Sequence, residues 1–183
     1  MLCWRTAMHS STEYLTRNLT LISQLVGQTI QKIIRLMYLE PEDELRMESG
    51  SLLLETHQGS RLYLDVDEGM GNILVFDASE PNQPINHKIS QFSYKYTLFP
   101  EENDHGILKC LEEKPISKIE QISRPDEEHN FYNMCGFKLT CSKGKSVYMG
   151  AYLTDLKIPD IWILTPEEIE QNLHCQSVTS VSE

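Results

Sequence analysis

The apolar positions change period along the chain, and each change marks an element. Over residues 11–26, Leu15, Leu19, Ile22 and Val26 fall at i, i+4, i+7 and i+11, the single stripe of an amphipathic helix. Ser10 or Ser11 can cap its start, and Gly27 suits the left-handed position after its end. The run TIQKIIRLMYL at 29–39 is rich in Ile and partly alternating, which predicts a strand, and PEDELRMESG then reads as a loop. SLLLETHQGSRLYLDV is the clearest signal: Leu52 and Leu54, then Leu62 and Leu64, alternate around Gln58-Gly59 as a β-hairpin does. DEGMGN turns into a short strand, ILVF, and ASEPNQPIN is a connector.

The second half can be laid on the first. Leu54, Gly59, Leu62, Tyr63 and Leu64 match Leu139, Gly144, Val147, Tyr148 and Met149 at an offset of 85 residues. Ile73 and Val75 match Ile161 and Ile163 at 88, a three-residue insertion in the turn. Upstream, Leu21, Ile22, Leu25, Ile30, Lys32 and Ile33 match Ile107, Leu108, Leu111, Ile116, Lys118 and Ile119 at 86. Two segments stand outside this repeat. One is an aromatic strand, QFSYKYTLF, with Phe92, Tyr94, Tyr96 and Leu98; the other is a helix over 165–175, signalled by a capping box at Thr165 and Glu168 with Pro166 at the first helical position.

The expected fold is therefore α+β: two similar helix–strand–hairpin–strand units forming mainly antiparallel sheet, plus a capped C-terminal helix. A single barrel or sandwich with peripheral helices is the alternative. The predicted organisation is a disordered stretch at 1–10 and one domain over 11–176. That domain comprises pseudo-repeats at 11–77 and 105–164, a connector at 78–104 and the helix at 165–175, followed by a frayed tail at 177–183. The expected core is Leu19, Ile22, Leu54, Leu62, Leu64, Leu139, Val147, Met149, Ile161 and Ile163. Trp162, opposite Ile161 and Ile163 on an alternating strand, is either an exposed aromatic anchor or covered by a second layer.

Composition changes the picture in one respect, the charge. Of 183 residues, 40% are hydrophobic and 23% charged, which is ordinary globular usage, but 27 acidic against 16 basic side chains leave a net charge of −11. The excess is spread along the chain, −5 over residues 1–90 and −6 over 91–183, so neither half offers the clustered basic side chains that a nucleic-acid duplex requires. No stretch approaches a membrane span, and the start of the chain has no apolar run of a secretory signal. Five Cys without a CxxC pair fit buried thiols in a reducing compartment, and a cytoplasmic location is the expectation.

Catalytic and metal-binding patterns start and then fail. Asp65 and Asp67 open like a calcium loop, but Met70 stands where the sharp bend needs Gly and Phe76 where a bidentate Glu is needed. His129, Cys135 and Cys141, or the looser set Asp104, His105 and Cys110, lack the close paired spacings of a zinc site. His129, Asp126 and a Cys could form a nucleophile set only if the fold assembled them. No phosphate-cradling or hydrolase motif is present. The expectation is no catalytic residue, no metal and no organic cofactor.

What remains is interaction. Acidic stretches at 40–44, 65–69, 100–104 and 125–129 all fall in predicted loops, which project from a β scaffold. In general character the chain resembles bacterial immunity proteins that neutralise cationic toxins, a likeness of class that carries over no residue. It implies a non-enzymatic inhibitor that binds a basic protein, toxin or enzyme; the acidic loops and the aromatic position offer Asp65, Asp67, Glu68, Asp126, Glu127, Glu128 and Trp162 as the partner-binding residues, and composition leaves nucleic acid and membrane out as partners. The alternative is a small-molecule-binding or hydrolytic domain with its pocket between the two units, near Tyr94 and Tyr96.

Overall fold

The computed structural model describes residues 11–37, 51–66, 71–79, 95–98, 111, 113–124, 132–154 and 161–178. The first element is α1, Ser11–Ser23. Its end tightens into i→i−3 hydrogen bonds, Gln24 N–H to Leu21 O (3.2 Å), Leu25 to Ile22 (3.1 Å) and Val26 to Ser23 (3.1 Å), so the α-helix stops three residues before the apolar stripe does. Gly27 then takes φ +82°, the left-handed stop that its position predicts.

Among the described residues ten strands follow: β1 Ile30–Met37, β2 Leu52–Thr56, β3 Arg61–Val66, β4 Ile73–Asp77, β5 Lys95–Leu98, β6 Ile116–Arg124, β7 Tyr132–Cys141, β8 Ser146–Gly150, β9 Trp162–Leu164 and β10 His174–Ser177. They form two open five-stranded sheets, ordered β4-β3-β2-β1-β5 and β10-β6-β7-β8-β9, with every pairing antiparallel. The class is α+β. One continuous core takes side chains from both sheets: Ile30, Leu52, Leu54, Leu62, Leu64 and Ile73 from the first, and Ile116, Phe137, Leu139, Val147 and Met149 from the second. The expected core residues all belong to it, with Leu19 and Ile163 partly buried at its border.

The outward faces are apolar as well. Ile34, Leu53, Tyr63 and Ala78 form a second buried cluster on the first sheet. Ile122, Cys135, Tyr148, Leu153 and Leu164 form a third on the second sheet. Strands buried on both faces read as continuous apolar runs such as LLL at 52–54, where alternation alone cannot tell inside from outside.

The two sheets share local geometry at the offsets seen in the sequence. Each first strand shifts register between equivalent residues, Ile30 and Lys32 in β1 and Ile116 and Lys118 in β6. Each hairpin closes alike: Gly59 N–H bonds Thr56 O (3.0 Å) and Gly144 N–H bonds Cys141 O (2.8 Å), while His57 reaches Thr29 O and Ser142 reaches Pro115 O, both at 3.0 Å. Gly59 and Gly144 supply the positive φ, +91° and +80°. Gly27 N–H bonds Ile116 O, and Ile116 N–H bonds Gln28 O, both at 2.8 Å, tying the end of the helical segment to the start of β6.

The C-terminal helix expected at 165–175 is not present; the chain there makes turns and then β10. Half of the capping box does form, with Thr165 N–H donating to Glu168 Oε2 at 2.7 Å. The helix does not propagate because Glu170 N–H is taken by Leu153 O (2.9 Å), outside the segment, and its carboxylate is drawn to Arg124. The chain then pairs with the free edge of β6: His174 to Ser123, Cys175 to Ile122, Gln176 to Gln121 and Ser177 to Glu120. This is the register in which β5 meets β1, with Lys95 opposite Met37 and Leu98 opposite Ile34. The aromatic strand and the C-terminal segment, expected outside the repeat, thus hold the same place in their sheets. The tail does not fray at 177, since Ser177 is in β10 and Val178 N–H bonds Ile119 O at 2.9 Å.

Candidate functional site

The meander decides which connections share an end of a sheet. Because β1, β2, β3 and β4 alternate in direction, the chain leaves β1 for β2 at the same end at which it leaves β3 for β4. Residues 40–44 lie in the first of these connections and 65–69 at the second. In the sequence 125–129 lies between β6 and β7, and the strand ends that flank it are at the end of the sheet opposite the Lys143-Gly144-Lys145 tip that joins β7 to β8. That tip is exposed.

Of the acidic residues singled out in the sequence, Asp67, Glu68, Asp126, Glu127 and Glu128 lie outside the described residues, as does His129. Asp65 is described, and it is tied down rather than simply solvated. Its carboxylate accepts from Ser51 Oγ (2.7 Å), Tyr63 Oη (3.1 Å) and the Val66 N–H (3.0 Å). Three donors at one carboxylate fix the end of β3 against the start of β2, which is a structural task.

Trp162 is half-buried, and its indole packs against the outer cluster of the second sheet together with Ile169 and Leu173. A second layer therefore borders it. Its Nε1–H is buried without an acceptor. Of the proposed pocket residues, Tyr94 lies outside the described residues, and Tyr96 stands in β5 opposite Leu36. Core side chains from both sheets meet in one buried cluster among the described residues.

The described thiols are poorly disposed for nucleophilic work. Cys135 is fully buried, its Sγ lies 3.5 Å from Ile122 O, and burial pushes its thiol up to about 12. Cys141 is buried in the main core. Cys175 is exposed on β10, with its thiol also raised, chiefly by partial burial. Among the described residues no three His, Cys, Asp or Glu side chains converge as a metal site.

Sequence reasoning missed Arg124, the one charged residue that is buried among the described residues. Its guanidinium donates to Tyr152 O and, at 3.1 Å, to Thr154 O, and it pairs with Glu170. The carboxylate contact is an ion pair rather than an aligned hydrogen bond, because Glu170 Oε2 is within reach of Nη2 yet makes no bond of good geometry. Tyr152, whose carbonyl the arginine holds, has φ +57°, the only non-glycine in the left-handed region among the described residues. A charged residue closing the apolar alternation of β6 just before Pro125 was the available signal.

Nearby on the second sheet, Lys118 bonds Glu120 at 2.8 Å and Lys138 approaches it at 3.4 Å. The Lys118 hydrogen bond foremost holds the Glu120 carboxyl below its usual range, against a smaller opposing effect of burial. Lys138 also lies 5.6 Å from the centre of the Tyr148 ring. Among the described residues no helix is long and apolar enough to cross a membrane.

No family model matches the chain. Comparison with curated proteins and with solved structures likewise returns no match.

Proposed function

We propose that the chain is a non-enzymatic, acidic binding protein that neutralises a basic partner, a toxin or an enzyme, by direct contact through its acidic connections. The observation that supports this reading is the net charge of −11, with the acidic stretches 40–44 and 65–69 falling in sequence between β1 and β2 and between β3 and β4, strands whose flanking ends share one end of the first sheet. Like charges gathered at one end raise the local potential and steer an oppositely charged partner. In the second sheet the lysine tip lies at the end opposite the β6 and β7 termini that flank the acidic residues 125–129, which supports a charge polarity that would orient approach.

The two sheets, in this reading, descend from one duplicated unit. Supporting it are the shared strand order, the equivalent register shifts in β1 and β6, and the matching hairpin hydrogen bonds. The unit then extends to β5 and β10. Superposing β1 to β5 on β6 to β10 is the direct check, and a different hand or order would dismiss the duplication.

The functional reading is tested by screening the proteins encoded beside this chain's gene for a basic one that binds it. Stopped-flow association is measured from about 0.05 to 0.5 M salt, over which the screening length falls several-fold. The expected result is an on-rate that drops steeply with salt and a dissociation rate that changes little. A salt-independent on-rate for a partner that does bind would remove the acidic connections from the recognition surface.

A further inference from the structure

The segment 165–178 is attached to the second sheet by a set of contacts distinct from those of the core. Ile169 and Leu173 rest on the outer cluster; Glu170 meets Arg124 through its carboxylate and Leu153 O through its N–H. β10 adds a four-residue ladder to the edge of β6, and all four of its residues are exposed. Short exposed ladders with few buried contacts belong to the low-stability end of a fold. Beneath the segment lies an apolar face, with Cys135 fully buried in it and Cys175 of β10 close enough to influence its ionisation.

We propose that residues 165–178 form a releasable strap, latched by the Arg124–Glu170 ion pair, which lifts from the second sheet while the main core stays folded. Two features favour lifting as a unit. Glu170 Oε2 is buried without an aligned hydrogen-bond donor, so release breaks only its ion pair with Arg124 and returns that carboxylate to water, while Arg124 keeps its bonds to Tyr152 O and Thr154 O. The main core, drawn from both sheets, includes none of the residues of the strap except for Val178 at its border. An open strap uncovers the edge of β6 and the outer apolar face together, an arrangement that controls access to both.

The two buried thiols report on this motion from opposite faces. Cys135 lies under the strap on the outer face, whereas Cys141 lies in the main core. With Cys3, Cys110 and Cys175 replaced by Ser, native-state labelling by a thiol reagent is followed site by site. Cys135 should label at least about tenfold faster than Cys141, with a weaker urea dependence because strap release exposes little surface. Glu170→Gln should accelerate Cys135 by about tenfold or more. Val75→Ala, which loosens the core of the first sheet, should accelerate Cys141 and leave Cys135 unchanged. Equal rates and equal urea dependence at the two thiols would overturn the proposal, since both would then wait for global unfolding. Faster labelling of Cys135 that ignores Glu170→Gln would overturn the latch.

Discussion

Gly136 and Gly150 are cross-strand partners on β7 and β8, and neither has room for a β-carbon. A β-carbon on Gly136 would come within 2.5 Å of Met149 O; one on Gly150 would strike the backbone of Cys135 and Gly136. The obstacles are backbone, which cannot rotate away as a side chain could. Leu153 packs over this spot, its Cδ2 3.3 Å from where the Gly136 β-carbon would stand. Gly150→Ala is therefore expected to destabilise the fold by about 2–3 kcal/mol, by forcing the strands apart. A shift of the urea midpoint equivalent to less than about 0.5 kcal/mol would mean that the strands separate freely.

Asn18 completes the edge of β4 where no strand does. Its Nδ2 donates to Ile73 O and its Oδ1 accepts from Val75 N, both at 3.1 Å, and the residue is buried. Asn18→Leu keeps the branching of the side chain but strands two buried backbone groups, so a loss of about 2–4 kcal/mol is expected. Amide exchange at Val75 should rise with it, and unchanged protection there would show that another group fills the role.

The strand and hairpin elements were legible because side chains on β2, β3, β7 and β8 keep a period of two, and the offset between halves survived in Gly59 and Gly144. The C-terminal segment was misread for a physical reason. A capping box specifies how a helix can begin; Glu170 and the open edge of β6 decided, through long-range contacts, that it would not continue. Asn18, three residues after Leu15 on the apolar stripe of α1, was a visible polar intruder whose partner on β4 no local pattern discloses. Arg124 is similar: its two carbonyl acceptors come from residues 152 and 154 and its ion-pair partner from residue 170.

Leu62 and Val147 occupy equivalent positions on β3 and β8, each 1% exposed. Leu62→Ala should cost about 2–5 kcal/mol, and Val147→Ala somewhat less because fewer atoms are removed. The two should be close to additive in denaturant melts if each sheet's half of the core relaxes on its own, and a coupling above about 1 kcal/mol would show instead that they share one cavity.

Burial raises Cys135 to about 12, above the ordinary thiol value of 9.0. The folded state therefore holds its proton where the unfolded chain releases it. Stability from this group is complete below pH 9 and is lost as pH rises toward 12, at up to about 1.4 kcal/mol per pH unit. Between pH 9 and 10 the wild-type protein should lose stability more steeply than Cys135→Ala. Parallel curves would place the thiol in contact with water in the folded state.

Asp65, Asp67 and Glu68 are neighbours in the sequence, and of the three only Asp65 is among the described residues, where its contacts give its substitution a structural consequence of its own. Asp65 accepts from Ser51, Tyr63 and Val66 and joins the ends of two strands, so Asp65→Ala leaves donors unpaired and should lower stability by about 1–2 kcal/mol. Reversing Asp67 and Glu68 together should instead leave the melting temperature nearly unchanged and slow association with a basic partner by about tenfold or more at low salt. Glu127 and Glu128 make the matched pair for the second sheet, and a Trp162→Ala variant separates apolar recognition from steering, since it would alter dissociation rather than association. If the Asp67/Glu68 and Glu127/Glu128 reversals both leave the on-rate of a genuine partner unchanged, its recognition runs through apolar surface, and the acid excess serves solubility alone.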